Sequence, residues 1–271
     1  MKIDSDIYAN SRKLVGDERF KKLYHYTSFD SFVKIWLNQN LLFSPLSKVN
    51  DIQEVDFKTG VINSDRLDLC RKLNEYRLSY KQVSFTMDYD SALKGCMSPM
   101  MWGLYADKRK GVCIELEYDK INFSESTLKD VVSYKKYLRW QNIVDERIET
   151  QKGLNDYVTK HQKQLFFTKQ KSWEGENEFR VLSNVDDYLS IQGAINAVYL
   201  TSCWSQECLF VEKLVGDKVP VMYLSYIGTF HNWAIPTLKD TKEQREYEYK
   251  MKEIRESRNG DKVQHRVPDK V

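Results

Sequence analysis

The chain has no run approaching the ~18 consecutive apolar residues of a membrane-spanning helix. Met1 to Arg19 is polar and charged and lacks the apolar core of a secretory signal, so a cytoplasmic protein without membrane contact is expected. There is no CxxC pair. Five cysteines (Cys70, Cys96, Cys113, Cys203 and Cys208) are an odd number at spacings that suit no zinc site, and reduced, buried thiols are expected. The four histidines, His25, His161, His231 and His265, are scattered, which argues against a metal centre. An excess of charge of one sign is lacking as well. Of the net +3, the stretch Leu238 to Val271 carries +2, from ten Lys and Arg against eight Asp and Glu. The 237 residues before it hold only +1, too little to imply nucleic-acid binding by electrostatics alone. Internal repeats and low-complexity tracts are also missing.

What is present is the composition of a globular protein, 41% hydrophobic and 13% aromatic over 271 residues, enough for one large domain or two small ones. Short apolar alternations predict strands at Leu23–Tyr26, Leu41–Ser44 (stopped by Pro45), Gln82–Thr86, Val112–Glu117, Asp130–Lys135, Glu178–Leu182, Ala197–Leu200 and Val221–Leu224. Helical spacing predicts a polar lead-in over Ile3–Lys22 and helices over Asp65–Tyr80, Met97–Asp107, Trp140–Thr168 and Ser205–Leu214. Another helix starts after Leu23–Tyr26, with Thr27 as N-cap, Phe32, Ile35 and Trp36 on one face, and an end at Asn38–Asn40. Strands interleaved with helices indicate an α+β fold. The expected organisation is one domain over residues 1–237, then a charged helical or disordered tail over 238–271.

The stretch Lys169 to Leu182 carries the densest chemistry. Period-2 alternation puts Glu176, Glu178 and Arg180 on one strand face and Phe179 and Val181 on the other. Two neighbouring carboxylates raise one another's pKa and an arginine lowers it, so the two acids can take different roles. A solvated strand face with a Glu–Arg pair is the plainer reading. His25 stands at the end of a short strand before a helix start, a good place for a ligand, or is packed between Tyr24 and Tyr26. Trp102 and Tyr105, at i and i+3 on a helix, are either core or a stacking platform for a small ring.

Five blocks, in order, resemble a bacterial family known only as a domain of unknown function. They are Leu23–Ser28, Asn50-Asp51 with Glu54, Met101-Trp102 with Tyr105-Ala106, Gly111–Ile114, and Trp173 with Glu176, Glu178 and Arg180. The resemblance runs from about Leu23 to Leu182. Its opening block is similar to the ADP-ribosyltransferase fold, which includes toxins that modify DNA and the RNA 2′-phosphotransferases. That likeness implies NAD as substrate, with His25 hydrogen-bonding the ribose next to nicotinamide and Thr27 and Ser28 nearby. It implies stacking of nicotinamide on Trp102 or Tyr105, and Glu178 as the catalytic acid, with which Glu176 exchanges roles or takes the acceptor's proton. Arg180 would orient Glu178 or hold a phosphate. Asn50 and Asp51 either order a loop at the pocket rim or form a plain Asx-turn.

Three functions follow as expectations. The first is an ADP-ribosyltransferase or NAD glycohydrolase acting on a macromolecule, nucleic acid or protein, in a toxin or phage-defence setting implied by analogy alone. The second is a module of the same fold that binds ligand without turnover, and the third is an interaction protein that docks a partner through its tail. With a nucleic-acid acceptor, Lys108, Arg109 and Lys110 are expected to contribute salt-dependent binding.

Overall fold

The computed structural model describes residues 21–51, 64–90, 93–136, 150–201, 206–227 and 233–238. In chain order, the first half holds β1 (Lys22–Thr27), α1 (Phe29–Asn38), β2 (Asn40–Leu42), β3 (Ser44–Pro45), α2 (Ser64–Leu78), β4 (Lys81–Thr86), α3 (Pro99–Tyr105) and β5 (Val112–Glu117). The second holds β6 (Leu128–Val131), β7 (Ser133–Lys135), α4 (Gln151–Phe166), β8 (Thr168–Gln170), β9 (Glu178–Ser183), β10 (Tyr188–Ser190), β11 (Ile195–Leu200), α5 (Gln206–Val215), β12 (Val221–Ile227) and β13 (Trp233–Leu238). The fold is α+β. The helical lead-in and the charged tail lie outside the described residues, apart from Lys21–Lys22 and Leu238 at their margins.

A nine-stranded sheet runs β13-β12-β11-β5-β1-β4-β9-β6, with β3 also paired to β4. Neighbours are antiparallel except β11 and β12, so the sheet is mixed. Strands β2 and β10 form a separate pair, as do β7 and β8. One face of the large sheet buries Leu23, Val83, Phe85, Ile114, Phe179 and Val181 against Phe32, Ile35 and Trp36 of α1 and Val211 and Val215 of α5. The other face carries two smaller clusters. One joins Leu182 to α2 and α4 through Leu73, Leu154 and Phe166. The other joins Tyr24, Tyr26, Cys113 and Tyr199 to Met101 and Trp102 of α3.

Helix α1 forms because its three buried residues fall at i, i+3 and i+4, and each fully buried side chain contributes roughly 1.5–3 kcal/mol. Its N-cap is Ser28 and not Thr27: the Ser28 hydroxyl accepts from the Ser31 amide, leaving Thr27 as the last residue of β1. Gln39, at φ 53°, takes the left-handed conformation that ends the helix. The strand expected over Leu41–Ser44 is two, β2 and β3, and Pro45 is the last residue of β3, opposite Lys81, where an edge strand tolerates the missing N–H. The stretch over Asp130–Lys135 is two strands, since Val132 turns aside and its amide donates to the Glu178 carbonyl. Gly111 is required where the chain leaving α3 enters β5 beside the end of β1, because a Cβ there would lie 2.1 Å from the Thr27 carbonyl oxygen.

The site is made by an interruption in pairing. On one edge, β4 pairs with β9 over all six residues, Lys81 to Thr86. Its other edge is shared by β1, which meets it only at Tyr24↔Thr86, and β3, which meets it at Ser44↔Gln82 and Pro45↔Lys81. Between these contacts, the edge at Val83–Phe85 is open.

Candidate active site

A cavity of about 320 Å³ lies at this opening, near the lower end of the ~300–1,000 Å³ usual for small-molecule sites. Its lining includes Tyr24, His25 and Tyr26 of β1, Gln82–Thr86 of β4, Met101 and Tyr105 of α3, and Lys169, Glu176 and Glu178. Leu42, Ser44, Lys48 and Asn50, all exposed, form its mouth.

His25 bridges the interrupted ladder, with Nδ1 3.1 Å from the Ser84 carbonyl oxygen. A carbonyl can only accept, so Nδ1 carries the proton. Burial lowers the pKa of His25 more than this hydrogen bond raises it, which favours the neutral ring. Nε2 is then an acceptor, suited to a ligand hydroxyl. Phe85 fixes the ring by an edge-on contact at 5.9 Å between centroids.

Opposite stands Glu178, 3% exposed on β9. Arg180 grips it in bidentate fashion, Nε to Oε1 at 2.8 Å and Nη2 to Oε2 at 2.9 Å, and Ser84 Oγ donates to Oε1 at 2.6 Å. Lys169 Nζ lies 3.1 Å from Glu178 Oε2 and 2.6 Å from Glu176 Oε2. The Tyr105 hydroxyl donates to the other Glu176 oxygen. Burial alone would raise the pKa of Glu178. The charges of Arg180 and Lys169, with hydrogen bonds from Arg180 and Ser84, outweigh it and hold the carboxyl well below the usual range. For Glu176 burial prevails: with the Glu178 charge it overcomes Lys169 and raises the pKa. Glu178 is therefore the ionised member, and Glu176 the one that takes and releases a proton nearer neutrality.

The plainer reading, a solvated strand face, is corrected, because the three charged groups are buried. Nor does one strand carry them all. Glu176 belongs to a 3-10 turn over Lys171–Glu176, and Asn177, left-handed at φ 45°, separates it from β9. The carboxylates converge because Lys169 holds both, not because they alternate along one strand.

The remaining residues divide. Tyr105 lines the cavity, but Trp102 does not: it is fully buried, its indole N–H donates to the Cys96 carbonyl at 2.7 Å, and Tyr26 meets it edge-on. Trp102 is core. Arg180 does not line the cavity either. Its Nη1 donates to the Phe166 carbonyl at 2.7 Å, so the geometry matches orientation of Glu178 and leaves no phosphate contact. Thr27 is buried outside the cavity lining. Ser28 lines a second hollow, together with Arg109 and Lys110. The run Lys108–Lys110 is exposed and does not reach the Glu178 cavity. Asn50 stands at the cavity mouth and Asp51 is buried, while Glu54 lies outside the described residues. Cys70, Cys96, Cys113 and Cys208 are buried and form no disulfide among the described residues.

Sequence reasoning missed Lys169, Ser84 and Tyr134, whose hydroxyl accepts from the Glu178 amide at 2.9 Å. Lys169 comes from β8, which pairs with β7 and not with the main sheet, so no alternation in β9 announces it. Ser84 was visible only as a polar residue within a strand.

Among the described residues, no group of His, Cys, Asp and Glu is arranged to hold a metal ion, and no helix is long and apolar enough to cross a membrane. No curated protein and no solved structure matches the chain. The model of a family described as a protein of unknown function, DUF2971, matches residues 101–181, so over the stretch that contributes Tyr105, Lys169, Glu176, Glu178 and Arg180, though not His25 or Ser84, the chain is similar to that family.

Proposed function

We propose that the protein cleaves the nicotinamide–ribose bond of NAD and passes ADP-ribose to a macromolecular acceptor or to water. One observation carries this reading. A buried carboxylate, Glu178, is kept ionised on the wall of a cavity whose other side is a neutral histidine. Glycosidic cleavage of this kind develops positive charge on the sugar ring, and a fixed carboxylate facing that charge stabilises the transition state more than the substrate. The C1′–nitrogen bond breaks with its electron pair going to the nicotinamide nitrogen. The acceptor's nucleophilic atom bonds to C1′, and its proton goes to Glu176, whose raised pKa suits a base. Tyr105 and Met101 offer the nicotinamide ring an aromatic and a thioether surface. Lys48, exposed at the mouth, offers a cation for a phosphate.

The test is nicotinamide release from NAD by the purified protein beside its Glu178→Gln variant. Release by the parent and none by the folded variant supports the reading; release by neither, without a thermal shift on adding NAD, removes it. A second reading, a module of this fold that binds without turnover, is favoured by the two cations on Glu178. Arg180 and Lys169 together balance Glu178 and an ionised Glu176, so the cluster is then neutral overall and its field on a substrate is weak. It predicts thermal stabilisation by NAD with no nicotinamide released.

A further inference from the structure

The face of β4 towards Glu178 presents three polar side chains, Gln82, Ser84 and Thr86, at every second residue. Ser84 donates its hydroxyl to Glu178. The other two keep an unsatisfied atom: Thr86 Oγ1 and Gln82 Oε1 are buried and have no hydrogen-bond partner. Thr86 is 1% exposed, and both residues line the cavity. Buried polar atoms are nearly always paired, and one left unpaired carries a desolvation cost that a ligand can relieve. Thr86 lies directly between Tyr24 and Glu178 in the strand register, on the floor of the cavity. Gln82 lies four residues away, roughly 13 Å along the strand at ~3.3 Å per residue, beside Ser44 at the mouth.

We propose that Thr86 and Gln82 are ligand-contact residues that recognise a hydroxyl-bearing sugar. Thr86 Oγ1 takes a hydroxyl of the ring held against Glu178, and Gln82 Oε1 accepts from a donor further out along the same ligand. This deepens the ribosyl reading above and rests on it for the identity of the sugar. Nε2 of His25 adds a third acceptor on the opposite wall. A ligand matched to this set carries several O–H or N–H donors along its length, whereas a flat apolar ring would leave all three acceptors unsatisfied. Ser84 acts only through Glu178 and is a positioning residue.

The experiment compares the parent with Thr86→Val, Thr86→Ser and Gln82→Met by calorimetric titration with NAD, nicotinamide riboside and ribose 5-phosphate, and by melting of the free proteins. Thr86→Val is expected to weaken nicotinamide riboside and NAD, and Gln82→Met to weaken NAD, each about five- to tenfold, as loss of one neutral hydrogen bond does, with Thr86→Ser restoring the parent's affinity. The free variants should melt at or above the parent's temperature, because the removed atoms had no partner in the protein. Parent affinity in both variants overturns the proposal, as does a melting temperature several degrees lower, which would mark a structural hydroxyl or amide. If the parent binds ribose 5-phosphate but neither nicotinamide compound, the NAD reading falls; sugar recognition then stands or falls on the same variants with that ligand. Binding of none of the three by the parent overturns both.

Discussion

Glu115 and Glu178 lie on the same face of the sheet, both buried and both held by a cation and a hydroxyl. Glu115 has Lys22 at 2.7 Å, the Tyr199 hydroxyl at 2.6 Å and the Asn196 amide; Glu178 has Arg180, Lys169 and Ser84. Glu178 opens on the cavity between β1, β4 and α3, whereas Glu115 lines neither that cavity nor the hollow beside Ser28. The difference lies in the strands. Glu115 is paired to Tyr24 on one edge of β5 and to Ala197 on the other, so the sheet closes round it. Past Thr86, the register partner of Glu178, β4 stays paired to β9 on one edge but is open on the other over Val83–Phe85. Burial and hydrogen bonding fix a carboxylate in either place. A break in the ladder makes one of them accessible to chemistry.

Removing a cation should separate the two most strongly. Arg180→Met leaves Glu178 buried beside a single lysine, and about 3–5 kcal/mol of unfolding free energy should be lost in urea titration. Lys22 is half exposed, so water can take its place beside Glu115, and Lys22→Met should cost about 1 kcal/mol or less. Equal losses would erase the distinction. Next comes turnover. Glu178→Gln should slow nicotinamide release by about 100- to 1,000-fold, equivalent to ~2.7–4 kcal/mol, while Glu115→Gln, assayed below its melting temperature, should change it by less than about tenfold.

A smaller effect distinguishes the tyrosines. The Tyr105 hydrogen bond lowers the pKa of Glu176, so Tyr105→Phe should move the acidic limb of the kcat/KM profile to higher pH, because the base must be deprotonated to act. Tyr199→Phe, beside Glu115, should leave that limb in place. The smallest effect concerns His25. Its folded pKa is lowered, so its contribution to stability is complete above the unfolded value of ~6.5 and is lost as pH falls below it. Its ring resonances should titrate below pH 6.5, and His25→Asn should flatten this part of the stability profile.

Much of the fold was legible. β5 begins and ends where alternation and the flanking turn place it, and α1 and α5 follow their apolar spacing to within a few residues. The separate pairs β2–β10 and β7–β8 were less legible, because strands of three residues carry too little pattern to stand out. Within the site, Glu178 and Arg180 were marked by alternation, and His25 by its place near the end of a strand that leads into a helix, although β1 runs on to Thr27. Trp102 was ambiguous for a physical reason: i, i+3 aromatic spacing is the same whether the ring fills a core or walls a pocket. Lys169 was not distinguished from its neighbours, since its two carboxylate contacts depend on a strand outside the main sheet.

By itself the sequence determined the local elements, through the periodicity of apolar residues, and the pairing of acid with arginine two residues apart on one strand. Only the tertiary structure decided that these charges are buried, that Glu176 and Glu178 converge on one lysine, and that β4 is left open between β1 and β3. Periodicity is a property of neighbouring residues, whereas burial, convergence and an interrupted ladder depend on which strands meet across tens of residues of chain.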